Sequence, residues 1–234
     1  MSTPHYRPPL VTIVVPVLAD AEVAGQLLAQ LPPDPDVEVV VVDGGHDERL
    51  ASVALEHPHV RLLHATPGRA HQMNVGAEDA AGEWLLFLHA DSELPSGWQQ
   101  ALAGIHQAVI GGWFRFALDD TAWQARVIER LVRWRVRRLR LPYGDQGLFV
   151  RREMFRMLGG FRELPLLEDV EFVRRLVRSG PVRELALPLR TSARRWRRDG
   201  WFRRSSMNLT IVALYFAGVS PARLARWYHR GRAR

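Results

Sequence analysis

Three acidic clusters and two arginine clusters in this chain have the residue types and spacing that chemistry needs. The run Leu85-Leu86-Phe87-Leu88-His89-Ala90-Asp91 carries an apolar stretch into a carboxylate. Val39-Val40-Val41-Val42-Asp43-Gly44-Gly45 repeats the design. A strand apolar on both faces belongs to a parallel α/β sheet, and such sheets bind ligands just beyond the carboxyl ends of their strands. A carboxylate placed there can hold a hard cation such as Mg2+ or Mn2+, which prefers carboxylate, phosphate and water oxygen. It can equally accept hydrogen bonds from a base or a ribose. Structural uses exist for both acids: Asp91-Ser92 could cap a helix after Pro95, and Asp43 could close an Asx-turn over Gly44-Gly45.

The third acidic cluster, Glu168-Asp169-Val170-Glu171, falls in the first turn of a helix. Each carboxylate gains ~0.3–1 kcal/mol there from the helix dipole. A positioned general base is worth about 10²–10⁴ in rate, so the cluster can serve both ends. Leu164-Pro165-Leu166-Leu167 before it supplies an apolar wall that would raise the pKa of a base. Arg126, Arg130, Arg133, Arg137 and Arg140 recur at spacings of 4, 3, 4 and 3, one stripe along a helix, with Val127, Leu131 and Trp134 beside it. A basic helix with tryptophans suits an anionic membrane surface, and a solvated face is the plainer alternative. In Arg194-Arg195-Trp196-Arg197-Arg198, guanidinium forks could take phosphate.

The elements that must position these groups follow from periodicity and turn residues. Strands are predicted over residues 10–16, 37–42, 60–64, 84–89, 111–116 and 147–151, with helices over 21–31, 47–56, 68–80, 121–140 and 168–179. Two further helices fill 201–228, broken at Ser220-Pro221. Strand–helix alternation in the first half predicts a right-handed, doubly wound α/β sheet. No repeat and no Gly/Ser linker interrupts the chain, so a single domain is expected. Its parts are a short tail (1–9), a first half (10–116), a second half (117–198) and C-terminal helices (199–234).

Composition removes several chemistries. The 234 residues contain no cysteine, which excludes disulfides, thiolate metal sites and cysteine nucleophiles and fits a reducing cytoplasm. All 32 basic residues are arginine, so there is no P-loop lysine and no lysine Schiff base. Residues 1–112 hold 4 arginines against 14 acids, and residues 113–234 hold 28 against 11. An acidic half suits a metal; a basic half suits phosphate, nucleic acid or an anionic membrane. No secretory signal is visible, and the longest apolar run, 209–219, falls short of the ~20 residues that span a bilayer. A cytoplasmic protein is expected, with a peripheral contact on the inner face of the membrane.

Taken in order, several short motifs resemble those of the family 2 glycosyltransferases of GT-A fold. They are Val14-Val15-Pro16-Val17-Leu18, Val41-Val42-Asp43-Gly44-Gly45, Gly68-Arg69-Ala70-His71-Gln72-Met73-Asn74-Val75-Gly76 and Phe87-Leu88-His89-Ala90-Asp91. Gly144-Asp145-Gln146, Gly159-Gly160-Phe161 and Leu167-Glu168-Asp169-Val170-Glu171 complete the set. The resemblance covers roughly residues 10–228, and is nearest to a short bacterial subgroup named for radical-SAM or selenodomain-associated gene neighbourhoods. It implies a GT-A fold, Rossmann-like and mostly parallel, with C-terminal helices.

The resemblance also implies roles. Asp43 would bind the nucleotide base, with Pro16, Val17 and Leu18 lining the same site through backbone and Gly44 and Ala90 beside it. Arg69 would sit near the nucleotide or its phosphates. Asp91, at the last position of the family's DxD motif, would hold Mg2+ or Mn2+ on the diphosphate. Asp169 matches the catalytic base. Gly144, Asp145, Gln146 and Glu168 would lie on the acceptor or phosphate side, with Arg195-Trp196 as the end of the Gln-x-x-Arg-Trp motif. The chain departs from the pattern at three points. His89 replaces the first DxD aspartate, Ala19-Asp20 replaces Asn-Glu, leaving ribose to Asp20 or Glu22, and Ser192 replaces the glutamine. The activity implied is metal-dependent, inverting transfer of a sugar from a nucleotide diphosphate sugar, UDP-linked, to an acceptor hydroxyl not identified by sequence. Two rivals are an inactive relative that binds nucleotide sugar, and an arginine-rich nucleic-acid-binding protein, which leaves the strand-end aspartates unexplained.

Overall fold

The computed structural model describes residues 8–230, with side chains described as far as residue 228. Most of the tail expected over residues 1–9 lies outside the described residues. Four parallel strands, β1 (Val11–Val17), β2 (Val37–Asp43), β3 (Val60–His64) and β4 (Trp84–Phe87), stand in the order β3-β2-β1-β4. Between them run the helices α1 (Ala21–Leu28), α2 (Glu48–Leu55) and α3 (Arg69–Glu78).

Strand residues sort by parity. Ile13, Val15, Val39, Val41 and Leu86 pack with Leu27, Leu28 and Leu50 of α1 and α2. Val14, Val40, Val42 and Phe87 pack on the other face with Ala70, Met73 and Ala77 of α3. Covering both faces is what the unbroken apolar runs required. Helix α3 lies close to the sheet because residue 76 is glycine; a Cβ there would stand 2.5 Å from Val14 Cγ1 and 2.9 Å from Val42 Cγ2.

The sheet continues as β4-β7-β6-β8-β5, through β5 (Ser92–Glu93), β6 (Gly111–Leu118), β7 (Leu148–Arg151) and β8 (Val182–Thr191). Strand β7 runs antiparallel to β4 and β6, β8 runs parallel to β6, and β5 antiparallel to β8. The α/β expectation holds, with a mixed second half. Strand β8 was not predicted: Pro188 lacks an N–H donor and argues against a paired strand. The sheet accommodates it at a bulge, where register moves from Phe114↔Leu185 to Arg115↔Pro188.

The helix after Pro95 is α4 (Trp98–Ala103), capped by Gly97 rather than by Asp91-Ser92, which turn instead into β5. The long basic helix is α5 (Trp123–Leu139). Helix α6 (Arg152–Met157) and α8 (Arg194–Asp199) were not foreseen, whereas α7 (Glu168–Ser179) has its expected bounds. Helices α9 (Trp201–Phe216) and α10 (Pro221–Arg230) break where Ser220-Pro221 predicted. Ile211, Val212 and Leu224 of this pair pack on Leu141, Leu167 and Val170, roofing the start of α7. Helices α5 and α8 pack through Ala125, Ile128 and Trp196 on Phe116 and Leu118 of β6. Among the described residues no helix is long and apolar enough to cross a membrane.

Candidate active site

Beyond the end of β4 the chain turns sharply. Leu88 N–H still donates to Val14 O of β1 at 3.1 Å, and Ser92 N–H closes back on His89 O at 3.1 Å. Asp91 O accepts from Ser192 N–H at 3.2 Å, tying the turn to the end of β8. The Asp91 side chain, 10% exposed, thereby faces a cavity at the carboxyl edge of the sheet. Its oxygens lie 4.0 Å from His89 Nδ1 and 3.7 Å from Arg194 Nη2.

The start of α7 lines the same cavity. Leu167 just before it adopts φ +67°, a left-handed conformation that costs a side-chain-bearing residue and clusters at functional sites. The three carboxylates of the first turn then have three fates. Glu171 pairs with Arg175 at 2.7 Å and Arg162 at 3.2 Å, a structural use. Glu168 Oε1 lies 3.4 Å from Arg69 Nε, and burial raises its pKa despite that arginine. Asp169 is fixed by backbone alone, Oδ2 accepting from Gly144 N–H at 2.5 Å and Oδ1 from Val170 N–H at 2.7 Å.

Arg69, the first residue of α3, joins these parts. Its Nη2 donates to His89 Nε2 while its Nε faces Glu168. A guanidinium can only donate, so His89 Nε2 is the acceptor and the ring proton is assigned to Nδ1, on the Asp91 side. Burial, Arg69 and Arg195 all hold the His89 pKa well below its ordinary value, so the ring is neutral. Gly144 is where Arg69 and Asp169 meet: a Cβ there would run into Arg69 Nη2 and stand 3.1 Å from Asp169 Oδ2.

Asp145 follows on the same 3-10 turn, Gly144–Gln146. Its Oδ1 is buried without a hydrogen-bond partner, and its pKa is pushed up to about 6. Burial is the main cause; Arg135 and Arg69 oppose it, while Asp169 and Asp91 add to it. The cavity thus gathers Asp91, Asp145, Glu168 and Asp169 with Arg69 and Arg195.

Asp91 is the carboxylate suited to a divalent ion. Among the described residues no three His, Cys, Asp or Glu side chains converge as a ready cage. One carboxylate with phosphate oxygens and water is the ligand set Mg2+ commonly takes, so the residues fit such an ion only in company with a diphosphate.

Other expected residues lie apart. Asp43 is fully buried at the end of β2 but does not line the cavity with Asp91 and Asp169. Its oxygens accept from Gly45 N–H at 2.7 Å and Asp47 N–H at 2.8 Å, the loop-closing use, with His64 Nδ1 at 3.8 Å. It neighbours Pro16, Val17 and Leu18 across the β1–β2 pairing, Leu18 being 55% exposed. Gly44 is buried against Gln72, and Ala90 packs on the core. Gln146 is buried, its amide donating to Phe114 O at 3.1 Å and accepting from Tyr143 N–H at 3.4 Å, and it does not line the cavity. Trp196 is mostly core, its Nε1 donating to Ser205 Oγ at 3.2 Å.

Three residues make contacts that the sequence reading did not assign. Gln72 Nε2 donates to Val17 O at 2.7 Å and Val42 O at 2.8 Å, binding both strand ends to α3. Arg194 Nη2 reaches Asp20 Oδ2 at 3.1 Å as well as Asp91. Buried Arg204 faces the cavity from α9 and donates to Tyr228 Oη at 2.7 Å. The arginine run at 194–198 signalled one of these; a lone glutamine in a helix signals nothing.

Comparison with known proteins agrees with the architecture. Crystal structures of S. aureus TarS superpose with TM-scores of 0.58 for residues 1–349 in complex with UDP-GlcNAc, 0.59 for residues 1–349 and 0.60 for TarS itself. Identities are 19%, 18% and 19%, over 78%, 92% and 92% of this chain, which establishes likeness of fold. The matches span 58%, 68% and 41% of those chains, so two of the three are covered over less than two thirds of their length. No curated protein matches the sequence. The family model described as glycosyl transferase family 2 matches residues 12–159, more than half of the chain and nearly all of β1 to β4. The chain therefore belongs to glycosyl transferase family 2.

Proposed function

We propose that this chain moves a sugar from a UDP-sugar to an acceptor hydroxyl, with inversion at the anomeric carbon. The observation that carries the reading is that Asp91, from the end of β4, and Asp169, from the start of α7, line one cavity with Arg69 and Arg195. Family membership supports glycosyl transfer, and the UDP-GlcNAc in a TarS crystal supports the donor class. The cavity, about 150 Å³, is smaller than the ~300–1,000 Å³ usual for a whole ligand. That size suits the sugar ring and acceptor oxygen, with the nucleotide lying outward along the sheet edge toward Asp20 and Asp43.

Asp169 takes the acceptor hydroxyl proton as the oxygen attacks the anomeric carbon, and the bond to the diphosphate breaks with its electron pair leaving on phosphate. The two backbone N–H groups that grip Asp169 fix its direction and keep it from collapsing onto Arg69. Arg69 and Arg195 stabilise charge developing on the leaving diphosphate. Asp91 would hold a divalent ion, whose contribution when bound is Lewis-acid neutralisation of that same charge. Neutral His89 takes no charge from the site and holds Arg69 in place.

The test is release of nucleoside diphosphate from a panel of nucleotide sugars with Mn2+ or Mg2+, beside thermal stabilisation by the free nucleotides. Asp169→Asn should keep stabilisation by UDP with Mn2+ and lose about 10²–10⁴ in turnover. Asp91→Asn should lose the metal-dependent part of that stabilisation. Near-normal turnover by Asp169→Asn removes the base assignment.

A further inference from the structure

An apolar groove runs between α5 and α9 and adjoins the cavity that contains Asp169. Leu131, Trp134 and Leu139 line one wall, and Phe202 and Leu209 the other. These five side chains are between 51% and 60% exposed. Large apolar side chains scattered singly over a surface need no explanation; five along one groove mark a binding site. The inner end of the groove is formed by Tyr143, Asp145, Trp196 and Asn208, all of which also line the cavity that contains Asp169. The groove therefore adjoins, across these four side chains, the cavity in which the acceptor oxygen would sit.

Charge beside the groove narrows the occupant. Arg130, Arg133, Arg137 and Arg138 cluster around Trp134 on the outer face of α5. Among the described residues none of the four makes an ion pair or hydrogen bond. Their neighbours on the same helix are engaged: Arg126 lies 2.8 Å from Glu129, and Arg135 lies over the Tyr143 ring and donates to Leu141 O. Four unpaired guanidiniums beside exposed tryptophan and leucine complement a molecule with an apolar body held at an anionic surface. The lining residues of α5 extend from Ile128 to Leu139, about 16 Å along the axis at ~1.5 Å per residue. One leaflet of a bilayer has nearly that depth, half of the ~30 Å hydrocarbon core.

The geometry points to this groove as the site for the hydrocarbon chain of a lipid acceptor. The hydroxyl-bearing end of that lipid enters the cavity beside Asp169, and Arg130, Arg133, Arg137 and Arg138 rest on the anionic membrane from which it is drawn. The inference rests on the transferase reading above and supplies the acceptor class that reading leaves open.

Binding can be tested without a sugar donor, by displacing dansyl-labelled undecanoic acid from the full chain with n-alkanols from octanol to tetradecanol. Affinity should tighten about fourfold for each added methylene until the groove is full. Leu131→Glu and Leu209→Glu, both at exposed positions that tolerate a polar side chain, should each weaken probe binding about tenfold or more. Stabilisation by UDP with Mn2+ should persist in both variants. Displacement that ignores chain length, or that both variants leave intact, overturns the inference. Adsorption to phosphatidylglycerol vesicles with no alkanol displacement also overturns it, leaving a surface contact only. A dimer that both variants disperse overturns it in favour of a second copy of the chain. Loss of UDP stabilisation in every form, with chain-length-dependent displacement intact, instead removes the transferase reading and leaves the chain site standing.

Discussion

Asp145→Asn should stabilise this protein at neutral pH and leave it unchanged in acid. The carboxylate is partly exposed overall, but its Oδ1 is buried without a partner. Its pKa of about 6 in the folded chain compares with an ordinary 3.8. Between those values the folded state binds more protons than the unfolded state. Unfolding free energy therefore falls as pH rises through that window and is level above it. A rise of about two units corresponds to at most ~3 kcal/mol, at ~1.36 kcal/mol per unit. Solvent reaching the exposed part of the group trims this to ~1–3 kcal/mol. Asparagine has the same shape and no charge, so the variant recovers that amount at about pH 7.5. For a chain of this size, ~2–4 °C per kcal/mol makes the gain about 2–12 °C in Tm. Melting curves in EDTA from about pH 4 to 8 should show a difference that starts near zero and grows to its full value by about pH 7. A difference constant across that range, or a variant less stable at about pH 7.5, refutes the reasoning by showing that the carboxylate has a partner in solution. The expected result identifies Asp145 as a place where stability is given up at the site, a common trade in enzymes.

Two more substitutions probe the supports of the site. Gly144→Ala puts a methyl against Arg69 and Asp169 with no change in fold, and losing a charge-assisted contact there should cost about 10–100-fold in kcat/KM, read as nucleoside diphosphate release. Gln72→Leu removes both donors to the ends of β1 and β2, and should lower stability by ~1–2 kcal/mol in urea unfolding with an unchanged m-value.

What could be read from sequence follows from how local its cause is. The runs 39–43 and 85–91 announce buried strands because every residue along them must be apolar, and α7 begins and ends at its acidic turn and Gly180. Strand β8 was hidden because its alternation is interrupted by Pro188, which fits only through a bulge set by β6. Asp91 and Asp169 were each visible as strand-end and helix-start acids, and the fold brings them to one cavity. Asp43 was visible too, and the Asx-turn offered for it over Gly44-Gly45 is what the fold shows, with Asp47 N–H adding a bond that spacing alone does not fix. The expected five-arginine stripe on α5 is narrower in the fold. Arg126 turns to Glu129 and Arg140 stands beyond the helix end at φ +48°, while Arg138 joins the exposed group. Gln72 was illegible because its partners are backbone carbonyls far away in the chain, and Arg204 because Tyr228, on the next helix, joins nearby Asp199 in holding it.

Arg194 reaches from α8 to two acids at the mouth of the cleft, 3.1 Å from Asp20 and 3.7 Å from Asp91. Arg194 thus serves both acids as a counter-ion, on a long side chain that is 41% exposed. If Asp91 takes a divalent ion, as proposed, that ion alone would have to displace this guanidinium. On the proposed reading, a diphosphate arriving with a cation would offer that guanidinium new oxygens and so favour their entry together.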